Sequence, residues 1–427
     1  MLNKPFSRRS AFKGLTLGAC SWATTSWLPA LADVTAATGS KPKSVILLWL
    51  NGGPATIDLW DLKPQHENGG PFKEIATAVS GMQISEHLPT LATVASDFSL
   101  IRSMATREGD HSRAKIVSLT GYTPQGAINF PGMGSLVAHE FNVTNDIPTF
   151  VHVGGQPGVS SGGFLGPQYA PFVVGGRGRR EAPAAPNATL KVEDLAPDSE
   201  SLLAKRLRLQ AELQMVSNMP ASSMVDAMES ARDRALRLMN PKAAAAFNLE
   251  EEERSVRDAY GTGTFGQGCL LARRLVERGV SFVEVSLDGW DTHANNFETV
   301  KGLSKQLDLG AGSLLKDLRD RGLLQDTLVV CQGEFGRTPR INGQAGRDHW
   351  PSTWSVMLAG AGIRGGQVIG STSADGTKLE SKPTRTPDLM ATIFRSIGLD
   401  PRKQNMSNVG RPIRLADPSG EAIEELL

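Results

Sequence analysis

Four polar, glycine-containing segments hold most of the side chains that could perform chemistry. One of them places Asp288, Asp291 and His293 within six residues, and another places His349 shortly after Glu334. Carboxylate and imidazole groups from separate loops are the mixed oxygen and nitrogen donors that suit a divalent metal ion. His293 and His349 are the strongest candidates, because each lies in a polar loop close to a predicted strand. Capping a helix is the alternative role for either aspartate, since a helix start follows them.

A third segment, Glu108 to Arg113, offers groups for catalysis rather than for metal binding. His111 and Ser112 could supply a nucleophile or its base. Hydrogen bonding at the start of a helix is the alternative for both side chains. Arg113 and Arg337 could hold an anionic oxygen of a substrate, and an exposed ion pair is the alternative for each.

The pattern of apolar residues predicts the elements that position these groups. Short runs rich in β-branched residues alternate with amphipathic patterns, which indicates βα units around a mainly parallel sheet. Each predicted strand ends near Gly, Asp, Asn or Glu, and ligands bind at the carboxyl ends of strands in open α/β sheets. The clearest strands are 44–50, 98–102, 280–287, 327–332 and 354–358. Helices are predicted at 88–95, 267–278, 301–321 and 387–397.

The first 32 residues have the three parts of a bacterial export signal. Arg8 and Arg9 precede an apolar stretch that ends in small residues, and their setting, Ser-Arg-Arg-x-x-Phe-Lys, indicates the twin-arginine route for folded chains. We predict cleavage after Ala32, so that the twin-arginine machinery delivers the protein to the periplasm or cell envelope. Lipoprotein cleavage before Cys20 is one alternative. An uncleaved anchor is the other, although the stretch is shorter than the ~20 residues that span a bilayer.

The remaining 395 residues are nearly neutral. The removed segment carries four basic side chains and no acid, so the formal net charge falls from +1 to −3. This charge gives no electrostatic reason to expect nucleic acid as a partner. No further apolar run is long enough to span a membrane. Cys269 and Cys331 lie in apolar patterns and are predicted as buried thiols, with a disulfide as the alternative.

Two further segments bear on the domain organisation. Residues 199–257 are charged and helical, with Met224, Met228 and Leu238 on one apolar face. Such a face is typical of a helix that packs on its own domain, with a partner-binding stripe as the alternative. We therefore predict a helical insertion within one domain at 33–427. Gly360 to Gly365 matches the GxGxxG pattern, but no helix pattern opens there, so no dinucleotide site is predicted.

Taken together, these segments resemble a large, mostly bacterial family of exported proteins, domain-of-unknown-function family 1501 (DUF1501). The resemblance rests on the twin-arginine signal and on segments 47–64, 107–124, 288–297, 333–351 and 386–401. The family is grouped by resemblance with the alkaline phosphatase and sulfatase superfamily. That grouping implies an α/β fold, an alkaline-phosphatase-like three-layer sandwich with a mostly parallel central sheet and metal ligands at the carboxyl ends of strands.

The resemblance also implies roles for individual residues. His111 stands at the position of the nucleophile in the similar sulfatase segment. Asp288 or Asp291, together with His293 and His349, resembles an Asp-His-His set that binds one metal ion.

A second metal site is weakened by two departures from the superfamily pattern. Asn51 stands where the superfamily has an aspartate, and Glu334-Phe335 stands where it has Asp-His. The resemblance therefore implies one divalent ion, of zinc, manganese or calcium. Glu334 and Asn51 are further candidate ligands of that ion.

The leading hypothesis is an exported, metal-dependent hydrolase of phosphate or sulfate esters of a small molecule or glycan. The metal ion polarises the ester oxygen, and His111 or Ser112 attacks the ester or activates water. Arg113 or Arg337 stabilises the oxyanion. The alternative is a non-catalytic cell-envelope binding or assembly protein that keeps the fold. Isomerase or phosphotransfer chemistry on the same scaffold is a third possibility.

Overall fold

The computed structural model describes residues 43–143, 146–175 and 223–427, together with positions 190, 205 and 208. The export signal predicted at 1–32 lies outside these residues, as does most of the insertion before position 223. The side chains of Met224 and Met228 on the predicted apolar face also lie outside the description.

A nine-stranded sheet lies at the centre of the described chain. We number its strands in chain order: β1 (Ser44–Asn51), β2 (Phe98–Ala105), β3 (Phe150–Val153), β4 (Phe172–Val174), β5 (Phe282–Asp288), β6 (Thr327–Gln332), β7 (Trp354–Ala359), β8 (Val368–Ile369) and β9 (Thr384–Arg385). The strands lie side by side in the order β8-β2-β7-β6-β1-β5-β3-β4, and β9 also pairs with β2. Only β7 runs antiparallel to its neighbours within this sheet. The five strands and the mainly parallel sheet predicted from the sequence are confirmed.

The central strand β1 shows why the sheet is covered on both faces. Its residues from Val45 to Leu50 are buried without a break, as expected for a parallel strand between two helical layers. Side chains alternate across a strand. The even-numbered residues from Ile46 to Leu50 therefore belong to one hydrophobic core, and the odd-numbered residues from Val45 to Trp49 belong to the other.

Helices complete the outer layers of the sandwich. Their bounds are α1 (Thr56–Leu59), α2 (Pro89–Thr93), α3 (His111–Thr120), α4 (Met133–Phe141), α5 (Ser223–Leu238), α6 (Pro241–Ala244), α7 (Arg254–Ala259), α8 (Thr264–Glu277), α9 (Asn296–Asp320) and α10 (Thr386–Ser396). Helices α8 and α9 supply apolar side chains to the first core, and α4 and α10 supply them to the second. The predicted three-layer α/β architecture is confirmed. Cys269 and Cys331 are buried and unbonded, as predicted.

The described end of the segment predicted as an insertion consists of α5, α6, α7 and short 3-10 turns. Two buried arginines of α8 fix it in place. Arg273 pairs with Glu252 at 2.6 Å and with Asp317 at 3.1 Å. Arg274 pairs with Glu251 at 2.6 Å and donates to the carbonyl of Ala245 at 2.8 Å. Buried guanidinium groups need such partners, because an unpaired charge is costly to bury.

No helix among the described residues combines the length and the apolar character needed to cross a bilayer.

Candidate metal centre

The site forms at the carboxyl ends of β1, β5 and β6, where three loops meet closely. Gly52, directly after β1, has a φ of +115°, which favours glycine. A Cβ atom there would lie 2.4 Å from the backbone nitrogen of Asp291, so only glycine lets the two loops approach this closely. Gly346 plays the same part for a later loop, since its Cβ would lie 1.9 Å from the carbonyl oxygen of His293.

Helix α3 brings His111 to this meeting point. The side chain of Asp110 caps the helix by accepting a hydrogen bond from the backbone nitrogen of Arg113 at 3.1 Å. This cap makes His111 the first helical residue. Nδ1 of His111 then donates to Oε1 of Glu334 at 2.7 Å, and Ser118, two turns later, donates to the carbonyl of Glu334 at 3.1 Å.

Two other imidazoles are held in the same way, each through Nδ1. His349 donates from Nδ1 to the carbonyl oxygen of Gly109 at 2.8 Å, and His293 donates from Nδ1 to Asp348 at 2.8 Å. A carbonyl oxygen can only accept, so Nδ1 of His349 carries a proton, and in the neutral imidazole Nε2 then carries the lone pair. Oxygen acceptors behind imidazoles are the usual arrangement around metal-binding histidines.

The three Nε2 atoms converge on one carboxylate oxygen, Oδ1 of Asp291. The distances to this oxygen are 3.4 Å from His111, 3.1 Å from His293 and 3.4 Å from His349. The Nε2 atoms of His293 and His349 are themselves 3.1 Å apart. Ligands bound at about 2.0–2.1 Å in a tetrahedral zinc site are separated from each other by about 3.3 Å. This spacing suits one metal ion held by His111, Asp291 and His349; His293 contacts Asp291 and His349 but is not part of the group whose ligand atoms all lie within 4.8 Å of one another.

The hydrogen bonding of His111 supports the same fit. Its Nε2 is buried and has no hydrogen-bond partner among the described residues. Buried polar atoms are normally satisfied, so an unpaired nitrogen aimed at a carboxylate calls for a ligand. His111, Asp291 and His349 also offer ligand atoms that all lie within 4.8 Å of one another.

Charge in the centre is set by a buried arginine and by two carboxylates. Arg337 has no exposed side-chain area and donates to Asp291 and to the carbonyls of Gly52 and Gly53. Partial burial acts to raise the pKa of Asp291, but the hydrogen bond and charge of Arg337 outweigh it and lower that pKa to about 2. The hydrogen bond to Glu334 raises the pKa of His111 above its ordinary value.

A second buried arginine positions the loop that carries Asp348 and His349. Arg347 forms a bidentate pair with Asp58, at 2.9 Å from Nε and 2.7 Å from Nη2, and neither side chain is exposed. Its guanidinium also donates to the carbonyl of Asn68 at 2.9 Å. The loop is thereby tied to the segment after β1 just before the two residues that enter the site.

Among the predicted metal ligands, the structure brings Asp291, His293 and His349 together. Asp288 lies at the neighbouring strand end, where it accepts a hydrogen bond from Nδ2 of Asn51 at 2.7 Å. These two residues satisfy each other and lie outside the cluster of converging atoms.

The other predicted residues have different places. Glu334 is fully buried behind His111, where it also accepts from the backbone nitrogen of Gly52 at 3.1 Å. Ser112 is exposed on the first turn of α3. The side chain of Arg113 is 64% exposed and pairs with Glu108 at 2.5 Å. The guanidinium of Arg337 is buried, so the exposed ion pair considered for it is wrong.

Several residues of the site were missed by sequence reasoning. His111 was considered as a nucleophile or base, yet its Nε2 points to the same carboxylate as the other two histidines. Asp348 and Gly109 were assigned no role, although they orient His293 and His349. The only local signal was the adjacency of Asp348 to His349.

Phe335 forms an apolar wall of the centre. Its ring is fully buried, with its centroid 4.8 Å from that of His111 and 4.9 Å from that of His349. An apolar wall lowers the local dielectric and strengthens the interactions between the imidazoles and the carboxylates.

A comparison with known families places the chain. The profile of the family described as protein of unknown function, DUF1501, matches residues 42–427. The chain belongs to the DUF1501 family. The match includes every loop of the centre, and the family resemblance deduced from the sequence is confirmed. No curated protein matches the chain.

Solved structures with a similar backbone share little sequence with this DUF1501 protein. The PsFucS1 sulfatase from Pseudoalteromonas sp. is 13% identical with a TM-score of 0.41, over 87% of this chain and 70% of that one. The phosphonate monoester hydrolase SpPMH from Silicibacter pomeroyi is 11% identical with a TM-score of 0.40, over 90% and 76%. The periplasmic domain of EcEptC from Escherichia coli, in a complex with Zn, is 9% identical with a TM-score of 0.38, over 89% and 87%.

Proposed function

We propose that this DUF1501 protein is an exported hydrolase of phosphate or sulfate esters that uses a single divalent metal ion. The observation that carries the proposal is the convergence of three Nε2 atoms on Oδ1 of Asp291, each at 3.1–3.4 Å. An oxygen acceptor behind each Nδ1 keeps every Nε2 directed at the same point.

The donor set narrows the choice of metal. Imidazole nitrogens together with a carboxylate oxygen suit zinc or another transition metal, whereas calcium takes oxygen ligands. Of the ions considered from the sequence, zinc and manganese are therefore favoured over calcium. A divalent ion bound there would polarise an ester oxygen and help activate water for attack.

The residues of the chain divide the remaining work. His111, Asp291 and His349 would hold the ion, with His293 as a candidate fourth ligand, and Glu334 would keep the Nε2 of His111 available. The clustered ligand atoms belong to imidazole and carboxylate groups, and Ser112 is exposed. We therefore assign the attack on the ester to water, without a covalent intermediate on the enzyme.

A second function is favoured by one feature of the same geometry. With His293 as a fourth ligand beside His111, Asp291 and His349, the protein donors would close a tetrahedral shell, and closed shells are typical of structural zinc sites. In that case the protein would be a cell-envelope binding or assembly protein with a structural metal. The export route, with the periplasm or cell envelope as destination, belongs to both proposals and rests on the sequence of residues 1–32.

The test is elemental analysis of the protein exported by its own signal, followed by a screen with aryl phosphates and aryl sulfates. We expect about one zinc or manganese ion per chain and turnover of at least one ester. His349→Ala should lose both, while His66→Ala, at a turn near the surface, should keep both. Bound metal without turnover would favour the structural alternative. A metal-free, inert protein would refute both proposals.

A further inference from the structure

One cation beside the candidate metal centre has no partner within the described part of the chain. The arginines nearby are all paired: Arg113 with Glu108, Arg337 with Asp291, and Arg347 with Asp58. The half-buried side chain of Lys115 makes no hydrogen bond or ion pair with any described residue. A cationic side chain that is partly withdrawn from water without an acid beside it is available to bind an anion.

The position of Lys115 places it next to the centre. It follows His111 by four residues in α3, so the two side chains lie on one face of the helix, about 6 Å apart along its axis. The loop after β3 lies against this face, since a Cβ atom at Gly158 would be 3.9 Å from the Cβ of Lys115. In the same loop, a Cβ atom at Gly155 would be 2.7 Å from Oδ2 of Asp288. Lys115 thus lies between the metal centre and the loop that borders Asp288.

The charges around the centre favour a further cation beside it. Asp288, Asp291, Glu334 and Asp348 bring four carboxylates to this edge of the sheet. The guanidinium of Arg337 already donates to protein acceptors and is fully buried. The proposed divalent ion would offset part of this negative charge, and a cation beside it would strengthen the binding of an anionic ester. A lysine ammonium on a long, flexible stem is well suited to bind phosphate oxygens as a point charge.

We infer that Lys115 binds the anionic oxygens of a tetrahedral substrate group, a phosphate or sulfate ester, next to the candidate metal centre. This inference rests on the proposed function and names the residue that selects for a charged ester. The inference depends on the surroundings of Lys115. This half-buried lysine has no partner among the described residues, and it lies one helical turn from His111. It is also on the helix face that the loop after β3 contacts.

The test compares two charge-removing variants in the full chain. Lys115→Ala removes the proposed anion-binding group, and Arg254→Ala removes a charge on α7 whose side chain is 87% exposed. Zinc content is measured first, and binding of inorganic phosphate and inorganic sulfate to the zinc-loaded proteins is then measured by calorimetry. We expect Lys115→Ala to weaken binding of the tighter anion by about 10- to 100-fold, the range for a lost charged hydrogen bond. Arg254→Ala should change it less than about threefold, and both variants should keep their zinc.

Two further variants guard against misfolding as the cause. Lys115→Met keeps the apolar stem and should lose anion binding like Lys115→Ala, whereas Lys115→Arg should retain most of it. Equal anion affinity in wild type and Lys115→Met, with zinc bound in both, would overturn the inference and leave the metal proposal intact. Failure of zinc-loaded wild type to bind either anion would also overturn the inference. Failure of the wild-type protein to take up zinc or manganese would refute the proposed function and this inference with it.

Discussion

Replacing Asp58 by alanine should destabilise the protein and damage a metal centre that Asp58 does not touch. Asp58 and Arg347 are both fully buried, and their two contacts are 2.7 and 2.9 Å long. The variant would leave the Arg347 guanidinium buried without a counter-charge. Removal of one partner from a buried pair costs about 3–5 kcal/mol.

This free energy corresponds to a measurable shift of the melting temperature. The folded unit spans Lys43–Leu427. Its entropy of unfolding is about 0.8 kcal/mol per degree, at about 2.1 cal/mol/K per residue. We therefore expect the Tm of Asp58→Ala to fall by about 4–6 °C in calorimetry without added metal. Zinc affinity should fall as well, because the loop that ends in Asp348 and His349 loses its anchor.

The matched control is Asp258→Ala, which removes an acid from a surface ion pair. The side chains of Asp258 and its partner Arg254 are 58% and 87% exposed, and such pairs contribute at most about 1 kcal/mol. The Tm of this control should change by no more than about 1 °C. Equal melting temperatures for Asp58→Ala and Asp258→Ala would refute the reasoning. The double variant Asp58→Leu with Arg347→Leu should recover part of the loss, since apolar residues in place of both partners leave no buried charge.

Three further predictions test the centre directly. At a zinc concentration 100-fold above the wild-type Kd, zinc should increase the free energy of unfolding of the wild type by about 2.7 kcal/mol and raise its Tm by about 3 °C. The same zinc concentration should not raise the Tm of His349→Ala. Zinc affinity should fall as the pH drops through the raised pKa of His111, because the proton and the metal compete for Nε2. Glu334→Gln removes the negative charge and weakens the hydrogen bond that raise this pKa, so a chelator competition should place its midpoint at lower pH. Gly52→Ala should abolish zinc binding, because its Cβ would lie 2.4 Å from a backbone nitrogen of the adjoining loop. The control is Gly81→Ala: Gly81 also has a positive φ, of +81°, but has open space around it, so zinc binding should change little.

The strands were predictable because burial on both faces leaves a strong apolar pattern in the sequence. The starts of helices were less so, as α9 shows. It begins at Asn296, five residues before the predicted position 301. Asn295 has a φ of 50°, and the backbone nitrogens of Asn295 and Asn296 donate to the carbonyls of Gln344 and Ala345. These bonds come from a loop that is distant in sequence, so no local propensity reveals them.

The candidate site was predictable to the extent that strand ends meet at one edge of a sheet. This geometry brings Asp291 close to His293 and His349, as their positions after strands suggest. Whether His111 acts as a ligand or as a nucleophile depends on Glu334, which is 223 residues away. That contact fixes which nitrogen faces the centre. Sequence spacing cannot supply this information, because it is set by the packing of α3 on the end of β6.

Asn51 and Phe335, which the sequence suggested would weaken a second metal site, both lie beside the candidate centre. Asn51 donates to Asp288 at 2.7 Å, which engages that carboxylate outside the cluster. The ring of Phe335 lies close to the rings of His111 and His349. Asn51 therefore contributes a hydrogen bond next to the candidate centre, and Phe335 contributes one of its apolar walls.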